Sequence, residues 1–197
     1  MTVRIETYTG RNIAPYIDDL ARLRIQVFRD FPYLYDGEMA YEADYIATYA
    51  NSPDSLFVLA VDGGRVVGAS TGIPMRDETA EFKTPFIEQD YDPEVIFYFG
   101  ESVLLPAYRG TGLGVRFFEE REAYARQSGE FTTCCFCAVE RPKDHPLRPA
   151  DYQPLDAFWN KRGFFHKPEL RTFYSWRDVG AAEETNKPMS FWVKDLR

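Results

Sequence analysis

The 197-residue sequence predicts an α/β chain in which strands and helices alternate within one unit. Three observations predict it: apolar runs of strand length, stretches with apolar residues at helical spacing, and turn signals between them. From the N-terminus the order reads β-α-α-β-β-β-α-β-α-β-β. No repeat, low-complexity tract or linker divides it, so residues 1–197 read as a single domain.

Residues 3–8, with Val3, Ile5 and Tyr8, read as the first strand. Asn12 then caps a helix running to Phe28, with Ile13, Ile17, Leu20 and Val27 near helical spacing. After a turn at Asp36 and Gly37, a second helix carries Met39, Ala43, Ile46 and Ala50 on one face. Residues 56–61 and 66–73 are apolar runs joined by Asp62, Gly63, Gly64 and Arg65, a hairpin signal. Residues 76–94 read as irregular, with Pro85 and Pro93, and residues 96–105 as a strand closed by Pro106. A glycine segment opens a helix reaching Gln127, with Leu113, Phe117 and Tyr124 on one stripe. Residues 131–139 have the continuous apolar character of a strand buried on both faces. A loop rich in proline and charge follows over residues 140–154, then a helix over 155–162 stopped by Gly163. Strands over 172–176 and 189–193 flank a polar loop.

A formal net charge of −8 argues against nucleic acid and anionic membrane surfaces as partners and favours cationic small molecules. No run approaches the length of a transmembrane helix, and the N-terminus lacks the regions of a signal peptide. Cys134 and Cys135 point to opposite faces of a strand, so these two and Cys137 imply neither a ready disulfide nor a tetrahedral metal site. They read as small buried hydrophobes in a reducing cytoplasm.

Arg109, Gly110, Thr111, Gly112, Leu113 and Gly114 follow a strand and open a helix. A helix N-terminus presents unpaired amides and partial positive charge, and glycines let an anion approach them, so the segment reads as a diphosphate cradle. A dinucleotide fingerprint would need a third glycine at Val115 or Phe117, depending on register. A P-loop needs a lysine, and none lies between Lys83 and Lys143. A glycine-rich turn without a ligand is the alternative on spacing alone.

Strand, proline, then Tyr108 through Gly114 and a helix resembles the acyl-coenzyme A signature of the GNAT superfamily of N-acetyltransferases. Arg109, Gly112 and Gly114 match its pattern, and Phe158 to Phe164, with Trp159 and Gly163, resembles a second family segment. The resemblance implies a central twisted mixed sheet of about six to seven strands flanked by about four helices. It implies acetyl-CoA as acyl donor with no metal, and a small amine attacking the thioester directly in a ternary complex. Residues 109–114 (Arg109, Gly110, Thr111, Gly112, Leu113, Gly114) would hold the diphosphate. Val103, Leu104 and Leu105 would pair with the pantetheine, one of their backbone N–H groups polarising the carbonyl, and Asn160 is a further cofactor candidate. The strands on either side of the motif helix would splay to admit the thioester.

Glu101, just after an apolar run, resembles the family's glutamate base. The family's usual acid is a tyrosine where this chain has Trp159, which leaves Tyr152, Tyr174 or water to protonate the leaving thiolate. An aromatic and acidic rim over residues 31–49 and 76–101 suits a cationic acceptor, with Tyr33 and Glu38 as contacts. Dimers are frequent in the superfamily, and Phe191 and Trp192 suit either an interface or the core. A non-catalytic acyl-CoA-binding module on the same fold is the competing reading.

Overall fold

The computed structural model describes residues 3–197. The first strand, β1, is Arg4–Thr9, followed by a 3-10 helix over Gly10–Tyr16 and by α1 over Ile17–Phe28. Asn12 therefore does not cap the α-helix. Pro15 lies inside the 3-10 segment and supplies no N–H, and regular α-helical geometry begins two residues later. Next come α2 (Met39–Asn51), β2 (Leu56–Asp62) and β3 (Arg65–Pro74), the last two paired antiparallel across the expected hairpin.

Residues 76–94, expected to be irregular, contain α3 over Ala80–Ile87. Its Phe82 and Phe86 are one helical turn apart and both buried. Pro85 leaves the carbonyl of Glu81 without its intrahelical donor, and the Thr172 hydroxyl donates to that oxygen instead at 2.7 Å. The proline that argued against a helix is thus accommodated by a partner from a distant strand.

The chain continues through β4 (Ile96–Tyr98), β5 (Ser102–Leu104), α4 (Leu113–Ser128), β6 (Thr133–Val139), α5 (Asp156–Asn160), β7 (Phe165–Arg177) and β8 (Glu184–Asp195). The last two strands are far longer than their apolar centres because their outer halves are exposed and polar. The strands form one eight-stranded sheet in the order β1-β2-β3-β4-β6-β8-β7, with β5 also paired to β3. Only β4 and β6 run parallel, connected by α4 as a crossover. Phe191 is fully buried and Trp192 is 5% exposed, so both serve the core of this chain. Among the described residues, no helix is long and apolar enough to cross a membrane.

One irregularity in this sheet creates the site. The single strand expected over residues 96–105 is broken between β4 and β5, where Gly100 donates to the Thr71 carbonyl and Thr71 donates to that of Glu101, each at 3.1 Å. Two residues face one, which is a β-bulge, and a bulge bends its strand and re-aims the side chain it carries. A Cβ on Gly100 would lie 2.5 Å from the Tyr49 hydroxyl, so the bulge closes only around glycine. Before it, β4 pairs with β6 as far as Tyr98 and Cys135. Beyond it, β5 follows β3 while β6 follows β8, and the sheet splits.

Candidate active site

Arg121, from α4, fastens the bulge. Its guanidinium donates to the Thr71 and Glu101 carbonyls at 3.3 and 3.2 Å and to the Ser102 hydroxyl at 2.8 Å. Its faces pack over the rings of Phe99 and Phe118, 4.2 and 4.9 Å from their centroids. Burial pushes its pKa down to about 9, with neighbouring anions working against that fall. In the sequence an arginine on a helix reads as exposed, and the signal of its burial is its i−4 spacing to Phe117 on the apolar stripe.

The split opens a cavity of about 1140 Å³ between β5 and β6. Leu104, Arg109, Gly110, Gly112 and Gly114 line one side, and Phe136, Cys137, Ala138, Phe158 and Trp159 the other. At its mouth Gly110 and Gly112 have φ of 76° and 91°, and a Cβ on either would meet nothing within 4 Å. The first bond of α4 runs from the Arg116 N–H to the Gly112 carbonyl, so the amides of residues 113–115 precede it without intrahelical partners. Open space, bare backbone and a helix N-terminus together fit a diphosphate. The apolar split behind them fits a pantetheine arm. Arg109, Arg121, Arg141, Lys143 and Arg148 line this cavity together with Asp30, Glu101, Glu140 and Asp156, so its charges are close to balanced on an acidic chain.

The edge of β5 refines the sequence expectation. Leu105 donates to the Val67 carbonyl, and Val103 stands opposite Ala69 in the same ladder. Alternation then turns the backbone groups of Ser102 and Leu104, and not those of Val103 and Leu105, toward the split. The Leu104 carbonyl already accepts from Arg109 Nε at 3.2 Å. Thr111 bonds back to the Tyr108 carbonyl, and Leu113 is the first residue of α4. Asn160 is exposed and does not line the cavity; Phe158 and Trp159, preceding it on α5, do.

A second cavity, of about 650 Å³, lies on the other side of the bulge. Its walls are aromatic, with Phe28, Tyr45, Phe82, Tyr98 and Trp176 among them. Its carboxylates are Asp36, Glu38, Glu42, Glu81, Glu101 and Glu184, against the cations Arg24 and Arg177. Tyr174 lines this cavity and shares a hydrogen bond with Tyr41 at 2.9 Å, whereas Tyr152 lines the first cavity, edge-on to Phe31. Glu38 is exposed at the outer edge, 3.6 Å from Arg177. Tyr33 borders both cavities and stacks on Trp176. The two tyrosines proposed for one role therefore stand on opposite sides of the site.

Glu101 also borders both cavities. It is 6% exposed, and burial raises its pKa above the ordinary glutamate value, opposed by Arg24, whose Nη1 lies 2.5 Å from Oε2. Cys137 borders both as well, but burial pushes its thiol up to about 12, and the Tyr98 hydroxyl lies 3.0 Å from its sulfur. At neutral pH it is a protonated wall residue and no nucleophile.

Residues 20–164 match the acetyltransferase (GNAT) family. An N-acetyltransferase from Staphylococcus aureus Mu50 has a similar fold over 100% of both chains, with a TM-score of 0.62 at 11% identity. An aminoglycoside 6′-N-acetyltransferase complexed with coenzyme A aligns over 98% of this chain and 97% of its own, with a TM-score of 0.60 at 17% identity. A PaiA N-acetyltransferase from Thermoplasma acidophilum, also in complex with coenzyme A, aligns over 99% of each chain, with a TM-score of 0.57 at 12% identity. No curated protein matches the sequence.

Proposed function

This chain belongs to the GNAT family of acetyltransferases, and on that premise we propose that it moves an acetyl group from acetyl-coenzyme A to the nitrogen of a small cationic amine. The observation that carries the reading is the position of Glu101. One buried carboxylate stands where a cavity with a phosphate cradle meets an acidic, aromatic one. The cradle of backbone amides suits the anionic donor, and charge complementarity suits the acidic cavity to an ammonium.

A bound acyl-coenzyme A supplies an activated carbonyl carbon, and the protein supplies the rest. The amine arrives as an ammonium and must lose a proton before it can attack. Glu101, with its raised pKa, accepts that proton at a carboxylate oxygen. The free edge of β5 offers the Leu104 N–H to the carbonyl oxygen, since the amides of Val103 and Leu105 serve β3. Tyr152 holds a phenolic proton on the donor side, where Trp159 has none to give, and Tyr174 belongs to the acceptor wall.

The test is release of free thiol from acetyl-coenzyme A in the presence of a panel of amines. Turnover with a cationic amine is expected, and Glu101→Gln should lower kcat by about 100-fold or more while leaving coenzyme affinity unchanged. The competing reading, a non-catalytic binding module, draws on Trp159 in the acid position. Tight coenzyme binding with no thiol release from any amine would establish it.

A further inference from the structure

Arg24, on α1, is 8% exposed and holds two carboxylates at once. Its Nη1 bonds Glu101, and its Nε bonds Glu42 of α2. The Tyr45 ring lies 4.2 Å beneath the guanidinium. The Glu42 side chain is wholly buried in the wall of the second cavity. Ionised, the trio carries one negative charge more than it neutralises.

That excess is costly. A buried ion pair needs one carboxylate per guanidinium, and a second must be desolvated without a cation of its own. One oxygen of Glu42, Oε1, also has no hydrogen-bonding partner among the described residues, the Tyr35 hydroxyl lying near the carboxylate without reaching bonding geometry. A glutamine at this position would bury less charge.

We propose that Glu42 is a positioning residue for the catalytic base, keeping Glu101 able to accept a proton by sharing the Arg24 guanidinium with it. The proposal rests on the reading of Glu101 as the base. Paired with Arg24 alone, Glu101 would be held as a settled carboxylate and would be a weak base. With Glu42 on the same guanidinium, taking up one proton brings the trio to neutrality, so protonation of Glu101 is favoured. Burial acts in the same direction, and Glu42 adds to it against the pull of Arg24. The other groups facing Glu101 are Tyr45 and Tyr49 from α2, Glu78 beyond β3 and Arg121 from α4. Neutral tyrosines leave the balance unmoved, Glu78 reinforces Glu42, and Arg121 opposes it.

The experiment is the pH profile of kcat/KM for one amine substrate at saturating acetyl-coenzyme A, in the unsubstituted protein and in Glu42→Gln. Using one amine cancels its own ionisation from the comparison. The acid limb is expected to move down by about one pH unit and the plateau to fall severalfold, with coenzyme affinity unchanged. A folded Glu42→Gln protein that loses activity equally at every pH, with an unmoved limb, overturns the proposal. A second measurement needs neither turnover nor that variant: the carboxyl carbon of Glu101 is titrated by NMR in the unsubstituted protein and identified by its loss in Glu101→Gln. A pKa above that of an ordinary glutamate is expected, and an ordinary or lower value overturns the proposal. If Glu101→Gln retains full turnover, the base reading fails by itself, and the same titration repeated in Glu42→Gln, where the Glu101 pKa is expected to fall and an unmoved value overturns the proposal, still judges the coupling.

Discussion

Two buried arginines are engaged by carboxylates to different ends. Arg24 divides itself between Glu42 and Glu101, leaving one carboxylate in excess of the guanidinium. Arg141 instead meets Asp178 through two parallel bonds of 2.9 and 2.8 Å and donates to the carbonyls of Pro32 and Tyr33. It fastens the segment after α1, with Tyr33 in it, to the end of β7. Burial resists ionisation of Asp178, but the bonds and charge of Arg141, assisted by Lys187, outweigh it and hold the pKa below the ordinary value. A carboxylate with a depressed folded pKa contributes stability above its unfolded pKa, and that contribution is lost as pH falls through the folded one. Asp178→Asn should therefore lower the free energy of urea unfolding by about 1–3 kcal/mol at pH 7. The gap to the unsubstituted protein should narrow steadily as unfolding is repeated at pH values descending below the ordinary aspartate range. A gap that stays constant with pH would mean that Asp178 acts by packing alone.

Helix α4 and strand β5 show what an element adds to its residues. The cradle is a helix start, and its anion-binding capacity comes from amides that no side chain supplies. Gly112 caps the helix with a left-handed backbone and faces open space, so its substitution tests the cradle separately from the core. Gly112→Asp puts a carboxylate against the diphosphate position and is expected to weaken coenzyme binding by about 100-fold or more, read by calorimetry. The strain of the left-handed conformation should cost only about 1–2 kcal/mol, so the circular dichroism spectrum should be unchanged. Retained affinity would remove the cradle from the account. On the facing strand, alternation along β5 decides which amides are available, a property of pairing that no single residue possesses.

Across the molecule, the charge is unevenly shared between two cavities that meet at one carboxylate. The cavity lined by Glu38 and Trp176 has six carboxylates against two arginines, while the cavity behind the glycine segment has five cations against four carboxylates. Attraction of an ammonium by partly exposed carboxylates such as Glu38 is screened by salt. Raising ionic strength from about 20 mM to about 500 mM should raise KM for a cationic amine severalfold and leave kcat nearly unchanged. An amine uncharged at the assay pH should show no such rise. Equal responses from both would mean that the acidic wall plays no part in recognition.

The sequence by itself determined the order of elements apart from α3 and the division of one strand into β4 and β5, the helix opened by residues 109–114, and Glu101 as a carboxylate beside an apolar run. Those features are local: apolar period, glycine and proline placement, and a short motif all lie within a few residues of one another. Only the tertiary structure decided the rest. The Glu81 carbonyl finds Thr172 across the chain, which is why a helix forms around Pro85. The bulge at Gly100 and Glu101 exists because Thr71, Tyr49 and Arg121 converge on it. It turns one expected strand into two and opens the split between β5 and β6. The partition of Tyr152 and Tyr174 between the two sides, and the trio of Glu42, Arg24 and Glu101, likewise depend on which strands and helices become neighbours. Long-range pairing carries no local signature, since the groups it joins lie tens of residues apart and are fixed by the packing of the whole core.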